Sequence, residues 1–230
     1  MKKRKILVIE PHSDDSMISG SGYLEKNKKN FEFHFLLMAA STTDFLHAKN
    51  NIHVNTRLEE YENYTKHFKG KWHKKSGDFD LPLNEDCTLD LYPKKNLVKI
   101  IETIILNIRP HIILLCGPSF HHDHTAVYEA SIAALRPTIN YCPEEILVAE
   151  NPTYMHSKNP YNEFIPNYFI SMNEKEIEKK INNFKLLFPS QLRKTGNVLS
   201  PEGIKAWARY RGIEARCKYA EAFYQYFRKI

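Results

Sequence analysis

Two short clusters hold the side chains that could do chemistry. Pro11-His12-Ser13-Asp14-Asp15 offers an imidazole and two carboxylates within a few residues, and His121-His122-Asp123-His124 offers three imidazoles and another carboxylate. Two histidines and one aspartate around an open fourth position form a catalytic zinc pattern, which also suits iron(II) or another first-row metal. His12 and Asp15 supply two such ligands from one tight turn, and a histidine of the later cluster would complete the set. A metal held this way lowers the pKa of a bound water to about 7, and a nearby carboxylate outside the ligand set can then move the proton. Asp14 is placed for that role. The plainer alternative has Asp14 and Asp15 capping a helix, His124 as a core or capping histidine and the later cluster as a solvated loop.

Both clusters follow apolar runs that read as buried strands: residues 5–10 before the first, and Ile112-Ile113-Leu114-Leu115-Cys116 before the second, ending at Gly117-Pro118. Ligands of open α/β sheets bind outside the carboxyl ends of the strands, so two such strand tips can share one crevice. The elements between them fit that frame. The sequence predicts a helix over 17–28, a strand over 31–38, a polar loop over 39–56 and a helix over 57–68 with Arg57 and Glu60 one turn apart. Residues 69–93 read as irregular, apart from a short strand at Phe79-Asp80-Leu81. Leu97, Ile100, Ile101, Ile104, Ile105 and Ile108 recur at helical spacing, predicting a helix over 94–107 that stops at Arg109-Pro110. Further helices are expected over 125–135, 174–188, from Ser200-Pro201 onward and over 215–228, with strands over 145–149 and 168–171. This alternation predicts an α/β fold with a mostly parallel sheet and helices on both faces.

At 230 residues the chain fits one domain, 1–230, that needs no disulfide to fold. Its four cysteines form no C-x-x-C pair, which suits a reducing cytoplasm, and Cys116 reads as a small buried hydrophobe. The charged N-terminus is followed by too short an apolar run for an export signal or a membrane span. Net charge +6 and a pI near 9.0 come from dispersed lysines and arginines, so a nucleic-acid partner is not expected. No glycine-rich phosphate loop occurs.

Pro11-His12-Ser13-Asp14-Asp15 resembles the A-H-P-D-D-E signature, and His121-His122-Asp123-His124-Thr125-Ala126-Val127 the H-P-D-H-R-A-V signature, of the LmbE-like (PIG-L) N-acetylglucosaminyl deacetylases, in the same order. Weaker likenesses are Arg57-Leu58-Glu59-Glu60 to its R-x-x-E helix, Ser190-Gln191 to a late S-Q pair and Tyr219-Ala220-Glu221-Ala222-Phe223 to a Y-A-E-A-F segment. The resemblance implies a Rossmann-like fold and one Zn2+ per chain, with Fe2+ also open, held by His12, Asp15 and His124. It implies Asp14 as general base and a protonated His121 as the group stabilising the oxyanion, with Asp123 orienting His121 or a neighbouring ligand. The implied substrate is a small acetylated amino sugar or its conjugate. Arg57, Tyr154, Tyr161 and Tyr168 are candidates for touching it, and a homo-oligomer is open. The chain departs from the signatures at Pro11, Ser13, Ser16, His122 and Thr125. None is a ligand or the base, but His122 introduces a competing imidazole. A non-sugar amide hydrolase, a two-metal phosphoesterase and a binding protein with an inactive zinc pocket are the rival readings.

Overall fold

The computed structural model describes residues 3–42, 51–154 and 164–229. In chain order the elements are β1 (Arg4–Glu10), α1 (Asp15–Ser19), α2 (Ser21–Lys26), β2 (Phe31–Leu37), α3 (Val54–His67), β3 (Lys71–Trp72), β4 (Lys75–Ser76), β5 (Phe79–Asp80), α4 (Lys94–Ile108), β6 (Ile112–Cys116), α5 (His122–Ala134), β7 (Glu145–Ala149), β8 (Tyr168–Met172), α6 (Glu174–Leu187), α7 (Pro201–Glu214) and β9 (Tyr219–Arg228).

A seven-stranded sheet in the order β3-β2-β1-β6-β7-β9-β8 forms the centre. Strands β3, β2, β1, β6 and β7 run parallel, and β9 joins antiparallel to both β7 and β8. This is the α/β, mostly parallel sheet that the alternating pattern predicts. Alternate residues of each central strand feed different cores. Ile6, Val8 and Leu114 face α1, α2, α3 and α6, with Tyr61, Tyr64 and Phe184 packed there. Leu7, Ile9, Ile113 and Leu115 face the isoleucine stripe of α4 and the small residues of α5. Such double-sided burial is why these strands read as continuous apolar runs.

The chain order reverses at β1: its connection to β2 goes one way and β6 lies on its other flank, paired Ile6 to Ile112 through Ile9 to Leu115. The carboxyl ends of β1 and β6 therefore open a crevice at the switch point, where open α/β sheets bind their ligands.

Four elements differ from the sequence reading. The expected helix over 17–28 is broken at Gly20, which packs so closely on Leu114 and Phe223 that an added Cβ would lie 3.2 Å from the leucine side chain. The helix expected from Arg57 begins a turn earlier, after His53, whose ring accepts the Asn55 amide. Inside the stretch expected to be irregular, Lys71–Trp72 extends the main sheet and β4 pairs with β5 as a small hairpin. Most consequentially, residues 219–228 form β9, where a terminal helix was expected. Their first half, Tyr219 to Phe223, is buried on both faces between β7 and β8, and their second half alternates burial and exposure with the strand period.

Candidate metal centre

The turn after β1 and the first turn of α5 bring donor atoms of His12, Asp15 and His124 close to one another. His12 Nδ1 lies 3.2 Å from His124 Nε2, His124 Nε2 lies 3.3 Å from Asp15 Oδ1, and His12 Nδ1 lies 3.6 Å from Asp15 Oδ2. Ligands at about 2.0–2.1 Å from a tetrahedral ion stand roughly 3.3 Å from one another, a spacing that the His12–His124 and His124–Asp15 pairs match.

Each donor is oriented from behind. The far nitrogen of His12, Nε2, donates to Asp123 Oδ2 at 2.9 Å and faces Asp86 Oδ1 at 3.2 Å, which turns Nδ1 toward the cluster. Asp123 is fixed in turn by the backbone amides of Cys87 and Leu89, at 2.6 and 2.9 Å. His124 sits in the first turn of α5, with its Nδ1 2.9 Å from Ser119 Oγ, so its Nε2 also points inward. Asp15 accepts the His12 amide on one oxygen and the Asn151 side-chain amide on the other. Burial alone would lower the pKa of His12, but the hydrogen bonds to Asp123 and Asp86 override it and raise it to about 10. Burial alone would raise Asp15, yet the facing imidazoles of His124 and His12 bring it down to about 2.

Asp14 stands apart from this set. It occupies the position before α1 without a capping hydrogen bond to the helix, so the capping alternative does not describe it. Its carboxyl is raised, by burial first and by the adjacent Asp15 second, and it lines the crevice. His121 caps α5, its Nδ1 accepting the Asp123 amide, and its ring packs 5.1 Å from His124 and 4.5 Å from His12. Burial, with His12 and His124 beside it, lowers its pKa to about 4. That direction, with Nδ1 accepting, favours a neutral ring with its proton on Nε2 over the protonated ring that the resemblance implies.

The two histidines that compete for the third position separate cleanly. His122 has 77% of its side chain exposed and faces Asp90 across 3.8 Å, whereas His124 has 1% exposed and faces the cluster. Asp123 touches His12 through its carboxylate and donates its backbone amide to His121. Arg57 is buried at the crevice wall, paired with Asp86 and donating to the Ser41 carbonyl, and does not pair with Glu60. Glu60 instead accepts the amide and hydroxyl of Ser190 at 2.8 and 2.6 Å, which sets Gln191 at the crevice. Tyr161 lies outside the described residues, as does the side chain of Tyr154. Tyr168 packs on Phe223 in the sheet, away from the crevice lining.

Three contributors escaped sequence reasoning. Asp86 and Cys87 come from the stretch read as irregular, with Cys87 Sγ 3.6 Å from His121 Nε2 and its backbone at φ 66°. Glu10, the last residue of β1, is buried, accepts the Ser16 amide and the Tyr61 hydroxyl, and is raised to about 8 by burial. An acidic residue ending an otherwise apolar strand was the available signal. The crevice has a volume of about 560 Å³, within the range of small-molecule sites. Arg193, Asn197, Leu199 and Trp207 form its outer wall.

The same fold recurs in solved structures. Teicoplanin deacetylase Orf2 in its zinc-inhibited form is 15% identical, with TM-score 0.70 and coverage of 96% of this chain and 97% of that one. N,N'-diacetylchitobiose deacetylase from Pyrococcus horikoshii is 19% identical, with TM-score 0.65 and coverage of 96% and 83%. GalB, the 4-carboxy-2-hydroxymuconate hydratase from Pseudomonas putida KT2440, is 14% identical, with TM-score 0.68 and coverage of 99% and 98%. These likenesses concern the fold, and the hydratase shows that it hosts more than one reaction. No curated protein matched. The sequence model of GlcNAc-PI de-N-acetylases, PIG-L, matches residues 7–135, from β1 to just past α5 and across both clusters. That is more than half of the chain, which therefore belongs to the PIG-L family.

Proposed function

We propose that the protein is a metal-dependent N-deacetylase of an acetylated amino sugar or its conjugate, acting as one catalytic domain. The observation that supports the reading is the pairwise approach of His12 Nδ1, His124 Nε2 and the Asp15 carboxylate to 3.2–3.6 Å, in a crevice that Asp14 also lines. When bound there, zinc, or iron(II) in its place, would supply Lewis acidity that lowers the pKa of water and polarises a carbonyl. Asp14 takes the proton of the attacking water, for which its raised pKa suits it, and returns that proton to the departing amine. Neutral His121 donates from Nε2 to the carbonyl oxygen as negative charge grows there. Asp123 and Asp86 act by holding His12. Arg57 meets substrate hydroxyls while remaining paired with Asp86.

The test is acetate release from a panel of N-acetylglucosamine conjugates, run alongside metal analysis. One metal per chain with acetate release supports the reading. Two metals with phosphate-ester cleavage would replace it with a phosphoesterase. One metal with no turnover across the panel would leave a binding protein.

A further inference from the structure

A second concavity continues from the candidate catalytic crevice. It has a volume of about 710 Å³ and shares Gly196, Asn197, Val198 and Trp207 with the crevice as a common sill. The sill lies close against α7: an added Cβ on Gly203 would stand 2.1 Å from the Asn197 carbonyl oxygen, so a glycine is required for the approach. Phe164, Ile165 and Pro166 form one wall, and Ala206, Trp207 and Tyr210 of α7 form the other.

The α7 wall is fixed from beneath. Glu150, buried at the end of β7, accepts Trp207 Nε1 at 3.0 Å and Arg211 Nε at 2.9 Å. The Arg211 guanidinium lies 4.9 Å from the Tyr210 ring, and the Trp207 and Tyr210 rings are 5.8 Å apart. Two large apolar side chains nevertheless stay in water here, Ile165 at 69% and Tyr210 at 56% exposure. Apolar surface left exposed beside a catalytic crevice marks a place where a ligand covers it.

The charges around the trough narrow that ligand. Arg211, the cation among its lining residues, is committed to Glu150 and to Glu214, whose carboxylate it meets at 2.6 Å. Glu202 and Glu214 line the same trough and oppose an anion. Taking the deacetylase reading as its basis, we propose that this trough binds an uncharged apolar group joined to the acetylated sugar. The substrate is then an amphiphilic glycoside with an alkyl or aryl arm, whose sugar enters the crevice while the arm lies across the Gly196–Val198 sill.

The experiment compares kcat/KM of the zinc-loaded protein for N-acetylglucosamine, N,N'-diacetylchitobiose, N-acetylglucosamine 1-phosphate and octyl N-acetylglucosaminide. The octyl glycoside should exceed the free sugar by about tenfold or more, mainly through KM, a discrimination within reach of a few buried methylenes. Tyr210→Ala and Ile165→Ala should shrink that ratio, and Ala206→Trp, which fills the trough without removing any contact, should bring it close to one. Equal kcat/KM for the octyl glycoside and the free sugar would overturn the proposal while acetate release upheld the deacetylase. A gain confined to the disaccharide would make the trough a carbohydrate subsite, and a gain confined to the phosphate would make it an anion site; either overturns the apolar assignment. Zinc-loaded protein that releases acetate from none of the four would sink the deacetylase reading, and the proposal with it.

Discussion

Asp14 and Asp15 are adjacent in sequence and opposite in circumstance. Asp15 is engaged by a backbone amide, an asparagine amide and two imidazoles, whereas Asp14 faces the crevice with a raised pKa. Asp14→Asn should therefore keep the metal and lose roughly 10²–10⁴-fold in kcat, the usual worth of a general base, as read by metal analysis beside acetate release. Wild-type turnover in that variant would remove Asp14 from the mechanism. The histidines separate the same way: His124→Ala should abolish stoichiometric zinc in equilibrium dialysis, while His122→Ala should retain it, because His122 faces Asp90 and solvent. Asp123→Asn should lie between them, weakening zinc by about 10–100-fold through a less firmly held His12. At this scale the sequence displayed the ligand candidates because they crowd into two clusters. Asp86 was hidden because it stands in a stretch without periodicity and far from both clusters, and its meeting with His12 and Arg57 exists only once the chain has folded.

The elements show what periodicity conveys and what it conceals. The helix α4 was legible from its isoleucine stripe because a helix with one buried face repeats that face in sequence. The strand β9 was not, since Tyr219-Ala220-Glu221-Ala222-Phe223 is buried on both sides and carries a glutamate among small residues that also suit a helix. That glutamate explains the segment. Glu221 accepts the amides of Gly22 and Tyr23 at 2.7 and 2.8 Å and pairs with Lys180 at 2.6 Å, joining β9, α2 and α6. Glu221→Ala would leave Lys180 buried beside the Ile18 carbonyl without its counter-charge, at a cost of about 3–5 kcal/mol. Adding Lys180→Met should recover much of the loss. Urea unfolding of the single and double variants measures both, and full additivity of the two substitutions would mean that the pair is not coupled.

At the scale of the whole molecule, the reversal of strand order at β1 decides where chemistry can occur, since it opens the crevice at the carboxyl ends of β1 and β6 and leaves the rest of the sheet as support. The charges in that support set how it responds to acid. His34 of β2 and His73, just after β3, stack 5.2 Å apart with Nδ1 of the first 3.0 Å from Nε2 of the second, a contact that requires a lone pair on one ring. Burial first, then His34 and Lys71, lower His73 to about 4, from an ordinary value of 6.5. Between those values the unfolded chain binds the proton that the folded chain refuses, so stability falls as pH drops from about 6.5 toward 4. Glu25 behaves in the complementary way. Burial would raise it, but His67 and Lys179 hold it at about 2, so its contribution is intact above 4.5 and is lost only as pH falls from there toward 2. Acid should thus remove these two contributions in two stages, the histidine pair first and the carboxylate later. Urea midpoints measured from pH 7 to pH 3 check this: His73→Gln should flatten the upper stage and spare the lower, and Glu25→Gln should do the reverse. Identical pH profiles for wild type and His73→Gln would show that the histidine pair does not govern the upper stage.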